Sequence, residues 1–81
     1  MQEQPSHPDF ERLVERHHRG VWQSARRVLT SDEDARDVTQ EVFLRVLDGR
    51  LRLEAGAEAG RVLSWWSIRI ALNTRRGARR R

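Results

Sequence analysis

The sequence predicts an all-α fold, a small bundle of three helices, and three observations carry that expectation. Three segments place apolar residues at the 3.6-residue period of an amphipathic helix rather than the two-residue alternation of a strand. Two turn signals, Thr30-Ser31 and Asp48-Gly49, separate those segments. A chain of 81 residues has room for one domain and one small core, so the helices have only each other to pack against.

Met1 to Pro8 holds two prolines and no hydrophobic period, and reads as a disordered leader. The domain then spans 9–81. Asp9 to Leu29 reads as the first helix, with Phe10, Leu13, Val14, Val21, Ala25 and Val28 in helical register. Gly20 costs that helix about 1 kcal/mol against Ala. His17 lies on the same stripe and is expected to be a semi-buried structural residue, whereas His18 is expected at the surface.

Asp32 to Leu47 reads as the second helix. Ala35, Val38, Val42, Phe43, Val46 and Leu47 fall at i, i+3, i+7, i+8, i+11 and i+12, a core-facing stripe on which Phe43 is taken as central. Ser31 followed by Asp34 is capping-box-like, and Asp32, Glu33 and Asp34 put negative charge where the helix dipole favours it. Asp48-Gly49 ends the helix. The opposite face carries Asp37, Gln40, Glu41 and Leu44, an acidic and amide ridge with one apolar residue that has no evident place in the core. Taken alone, that face also fits a solvated surface with a single exposed leucine.

Asp48 to Gly60 reads as a loop with three glycines. Leu51 and Leu53 alternate with Arg as a short strand would, but no partner strand exists. The third helix is expected from near Arg61 to at least Arg76. With Arg61 at the origin of a helical wheel, Val62, Trp66, Ile70 and Leu63 span about 100° to 200° and form the expected core stripe. Arg61, Leu72, Trp65, Arg76 and Arg69 span about 0° to 80°, which sets a tryptophan among three guanidinium groups. Binding of unpaired nucleic acid needs phosphate neutralisation and a flat stacking surface, and this face supplies both. A competing reading has Arg61 and Arg69 covering Trp65 by cation–π contact at the core edge.

Charge is segregated along the chain. Residues 1–59 hold nine Arg and all 12 acids, whereas residues 60–81 hold seven Arg and no acid. Two partners of different chemistry are therefore expected, with nucleic acid the better candidate for the basic end. For Arg79-Arg80-Arg81 alone, a frayed and solvated tail is the alternative. The 16 basic residues are all arginine.

Several function classes are poorly supported. Without cysteine there is no disulfide framework, thiolate zinc site or cysteine nucleophile. His7, His17 and His18 lack metal-ligand spacing with a carboxylate on the same face, and Ser64 and Ser67 have no His neighbour in the sequence. No glycine cluster follows a strand. The expectation is no enzyme, no metal and no cofactor. The apolar runs are too short to cross a bilayer and the N-terminus is unlike a signal peptide, so the chain reads as cytoplasmic with no membrane partner.

The segment from Asp34 to Val46, Asp-Ala-Arg-Asp-Val-Thr-Gln-Glu-Val-Phe-Leu-Arg-Val, resembles the most recognisable helix of region two in bacterial RNA polymerase sigma factors of the sigma-70 family, extracytoplasmic-function group. Phe10-x-x-Leu13 and Val21-x-x-x-Ala25-x-Arg27 extend the likeness upstream, and Trp66-x-x-Arg69-Ile70-Ala71-x-Asn73 extends it downstream. The resemblance implies a three-helix or four-helix bundle of the sigma region 2 type. It also implies a role in transcription initiation, binding RNA polymerase core and recognising and melting the minus-ten promoter element. Asp37, Gln40, Glu41 and Leu44 would engage the clamp helices of the beta-prime subunit. Arg61, Trp65, Trp66, Arg69, Asn73 and Arg76 would engage promoter DNA, chiefly the non-template single strand. Trp66 matches the tryptophan shared across the group, and the loop from Asp48 to Gly60 would capture a flipped base.

The sequence departs from the family pattern in places. The Trp65-Trp66 pair is closer to the wedge of housekeeping sigma factors than to the single tryptophan usual in this group. Gly77 stands where a helix former is common, and the N-terminal helix that precedes this point in many relatives is not expected before Phe10. No sigma region 4 domain is expected in this sequence, so the resemblance implies a truncated chain, a degraded product or half of a split factor, with a separate region 4 subunit or an anti-sigma factor as further partners. The rival reading is a non-melting interaction module, a decoy for polymerase or an anti-sigma factor.

Overall fold

Pro8 suits the first turn of a helix, where its fixed φ is already helical and its missing N–H is not needed. In the computed structural model, which describes residues 8–53 and 58–79, it opens α1 (Pro8–Val28), followed by α2 (Asp32–Leu47) and α3 (Ala59–Arg79). Among the described residues there is no strand, and the all-α, three-helix expectation holds. The leader expected over 1–8 falls on residues outside those described, except that Pro8 belongs to α1.

The corner between α1 and α2 is fastened by one arginine. Arg26 Nη1 donates to the Leu29 carbonyl at 2.7 Å, and Arg26 Nε pairs with Asp32 Oδ1 at 2.9 Å. Ser31, in extended conformation, caps α2 by accepting from the Asp34 N–H at 3.2 Å. At the other end the Asp48 N–H donates to the Leu44 carbonyl, Gly49 N–H to Val46 and Leu51 N–H to Arg45. Gly49 takes φ +84°, the left-handed conformation that ends the helix. The backbone N–H of Arg50 donates to Asp48 Oδ1, and with the Arg50 guanidinium beside it this holds the Asp48 carboxyl below its ordinary value of 3.8.

The cap also directs Leu51 inward, where it is buried, with Leu53 packed against the core. The alternation of these two leucines with arginine thus reflects a loop lying along the core, not a strand. α3 begins at Ala59, so Gly60 is helical rather than part of the loop, and the helix continues through Gly77.

The largest interface is between α1 and α3. Its centre on α3 is Leu63, Ser67 and Ala71, at i, i+4 and i+8 and all fully buried. This corrects the expected stripe, because Val62, Trp66 and Ile70 are only half-buried on its flank. The reason is close approach. Ser24 and Ala25 are buried on α1, the Ser67 hydroxyl donates to the Val21 carbonyl at 2.9 Å, and a Cβ at Gly60 would lie 3.2 Å from His17 Nδ1. Small side chains at the contact let two helices come together and leave bulkier residues to close the sides.

α2 contributes Ala35, Val38, Val42 and Phe43 to the core, joined by Thr39, whose hydroxyl donates to the Ala35 carbonyl at 2.8 Å. Leu47, expected in the core, is half-exposed. It stands at the edge of the stripe, on the rim of a groove that α1 does not close.

Candidate functional site

The ridge on α2 follows from the arc its residues occupy. Val38 and Val42 point into the core, which turns Asp37, Gln40, Glu41 and Leu44 outward. Asp37 and Gln40 are exposed, Leu44 is 53% exposed and Glu41 is intermediate. The ridge separates two depressions. Gln40 and Leu44 border an apolar groove of about 340 Å³ between α1 and α2, lined also by Phe10, Val14, His18, Thr39, Phe43 and Leu47. Asp37 and Glu41 border a cleft of about 300 Å³ toward α3, with Asp34, Val38, Arg45, Ile70 and Thr74.

The two carboxylates of the ridge are not equivalent. Glu41 Oε2 accepts from Arg45 Nε at 2.8 Å and lies 3.8 Å from an Arg50 nitrogen. Asp37 makes no ion pair among the described residues. Inside the groove the His18 ring stacks nearly parallel on Phe43 at 6.3 Å, and Phe10 meets Phe43 edge-on at 6.5 Å. Reading α2 alone misses what α1 adds. Phe10 and His18 line the groove only because α1 crosses beside Phe43, a juxtaposition no local pattern reveals.

On α3 Arg61, Trp65, Arg69, Asn73 and Arg76 face away from Leu63, Ser67 and Ala71, whereas Trp66 flanks that contact. Trp65 is 54% exposed, with the Arg69 guanidinium 5.3 Å from its ring centroid. Trp66 is half-buried and stands perpendicular to Trp65 at 87°, the centroids 5.1 Å apart. Arg61 does not cover Trp65 in the way Arg69 does; it faces Glu58 Oε1 at 3.6 Å and shares a shallow depression of about 260 Å³ with Val62 and Trp65. Asn73 and Arg76 are exposed about one and two turns beyond Arg69. A base stacking on the face of Trp65 under Arg69 must displace that guanidinium, which is then free to meet phosphate.

Arg45 was not among the expected site residues. It reaches from α2 so that its guanidinium lies 5.7 Å from the Trp66 ring centroid, with its Nε still on Glu41. The α2 ridge and the α3 tryptophans are thereby in contact. No aromatic side chain lies on the described part of the loop from Asp48 to Gly60, and its residues 54–57 fall outside the described ones. Among the described residues, no helix is long and apolar enough to cross a membrane.

The family model described as Sigma-70 region 2 matches residues 13–81. No curated protein and no solved structure matches the chain. With the match covering most of the chain, from within α1 through α2 and α3, the protein belongs to the sigma-70 region 2 family, whose domains have a role in transcription initiation and generally contact RNA polymerase core and promoter DNA.

Proposed function

We propose that this chain, read as one domain over 9–81, works in the cytoplasm as region 2 of an extracytoplasmic-function sigma factor, recognising and melting the minus-ten element while docked on core polymerase. Asp37, Gln40, Glu41 and Leu44 engage the clamp helices of the beta-prime subunit. Arg61, Trp65, Trp66, Arg69, Asn73 and Arg76 engage the non-template strand. The observation that supports this most is the half-exposed Trp65 on a helix without acids after Gly60, its ring flanked by guanidinium. Stacking area and positive charge coincide there, as single-strand binding requires.

The acidic ridge supports the first half of the reading. Its polar groups surround Leu44, an exposed apolar residue beside an apolar groove, which gives a partner helix both an anchor and a rim. Replacing Gln40 and Leu44 together by Ala tests this without disturbing the ion pairs of Glu41. The double variant is expected to keep its helicity and to lose at least about tenfold in affinity for a beta-prime clamp-helix fragment, measured by calorimetric titration. Wild-type affinity in a folded double variant overturns the assignment of this ridge to polymerase.

A further inference from the structure

Arg45 touches both faces. Its Nε donates to Glu41 Oε2 at 2.8 Å, its guanidinium lies 5.7 Å from the Trp66 ring centroid, and Trp66 in turn meets Trp65 edge-to-face at 5.1 Å. Beyond Trp65 comes Arg69. A continuous run of contacts therefore leads from the α2 ridge to the exposed ring on α3.

Arginine suits such a junction. Its planar, weakly hydrated guanidinium offers a donor edge to a carboxylate while a face lies over an aromatic ring. Arg45 would otherwise sample many rotamers at the surface; the Glu41 bond selects one, and its side chain is only 30% exposed as a result. Trp66 is half-buried against the core, and Arg45 lies over its ring from the α2 side. Trp65 is freer still, held edge-on by Trp66 and covered on its ring by Arg69.

We infer that Arg45 is a positioning residue for the strand-binding tryptophans. Anchored by Glu41, it holds the Trp66 ring, and Trp66 holds the perpendicular Trp65 so that a base meets a plane already in place. Ordering that ring before binding removes an entropic cost from the binding step. The inference rests on the strand-binding role proposed above for Trp65 and Trp66. It also makes Glu41 a shared group, because a partner's cation at Glu41 competes for the carboxylate that anchors Arg45.

The test compares the full chain with Arg45→Met, which keeps an apolar stem over Trp66 but loses both polar contacts, with Arg45→Lys, which keeps the charge, and with Glu41→Gln. An edge-to-face tryptophan pair gives an exciton couplet in far-ultraviolet circular dichroism, and its assignment here is secured by its loss in Trp65→Ala. Arg45→Met is expected to diminish the couplet and to weaken binding of a single-stranded minus-ten oligonucleotide roughly two- to fivefold, the effect of one exposed cation–π contact. Melting temperature should change little. Arg45→Lys should restore part of both signals, and Glu41→Gln should weaken both without touching the tryptophan face.

An unchanged couplet in Arg45→Met overturns the inference whatever the oligonucleotide does. So does a diminished couplet with wild-type oligonucleotide affinity, provided Trp65→Ala binds more weakly. If Trp65→Ala itself binds like wild type, the strand-binding reading falls instead, and the couplet still reports whether Arg45 sets the ring geometry. Where the oligonucleotide binds the free chain too weakly to measure, wild type, Arg45→Met, Arg45→Lys and Trp65→Ala are compared on the complex with core polymerase, without Glu41→Gln, whose carboxylate belongs to the docking ridge.

Discussion

Replacing Leu63 by Ala should destabilise the domain more than replacing Phe43 by Ala, although phenylalanine is the larger side chain. Leu63 is 0% exposed and heads the fully buried side chains. Around it the α1–α3 contact is made of small residues already in close approach, so the site cannot collapse onto the deleted atoms, and transfer and cavity terms together cost about 3 to 5 kcal/mol. Phe43 is nearly as buried at 6%, but its ring forms one wall of the open groove of about 340 Å³. Its deletion enlarges a space that water already reaches, leaving chiefly the transfer term, about 1.5 to 3 kcal/mol. Against a total stability on the order of 4 to 12 kcal/mol for a domain of this size, the difference is decisive. Urea unfolding followed by far-ultraviolet circular dichroism, with both variants fitted to a common slope, measures the two costs. A loss in Phe43→Ala equal to or greater than that in Leu63→Ala refutes the view that the groove is open and that the core is centred on α3.

Two further predictions use the helix ends and the tryptophan face. Gly77 is helical with open space where a Cβ would go, so Gly77→Ala should stabilise by about 0.5 to 1 kcal/mol, whereas Gly49→Ala, at φ +84° and equally unobstructed, should cost about 1 to 2 kcal/mol; thermal melts of the two variants should move in opposite directions, and movement in the same direction refutes the pair. Trp65→Ala should remove about 1 to 3 kcal/mol of single-strand affinity, while Arg76→Ala should weaken all sequences alike and flatten the salt slope by about one. Core-bound complexes that hold matched and scrambled strands equally, with no change on losing Trp65, would replace promoter recognition by the interaction-module reading.

Much of the frame was legible in the sequence because it is local. Ser31 caps α2, Gly49 ends it, Thr30-Ser31 forms the corner, and the outward arc of Asp37, Gln40, Glu41 and Leu44 follows from period alone. What escaped depends on a second helix. A wheel weighted by hydrophobicity centres α3 on Trp66 and Ile70, yet close helix approach puts Ser67 and Ala71 at the centre, where small size matters more than apolarity. Thr39 is buried for a related reason, since bonding its hydroxyl to Ala35 one turn back removes the cost of hiding it. Leu47 went the other way, because nothing in its own helix shows that α1 leaves that rim uncovered. Arg45 was invisible as a site residue for the same reason: its partners are one turn away on α2 and across the interface on α3.

The unequal carboxylates of the α2 ridge have a consequence in time as well as in energy. The charge of Glu41 is already answered by Arg45 and Arg50, so a basic surface that has come within a Debye length of about 8 to 10 Å is drawn chiefly by Asp37, with the exposed Asp34 close by. Glu41 becomes available only at contact, when an incoming cation is near enough to compete with the two arginines. Under the polymerase-binding role proposed for this ridge, Asp37 is therefore expected to govern how often encounters succeed and how steeply salt slows them, and Glu41 how long a complex lasts once formed.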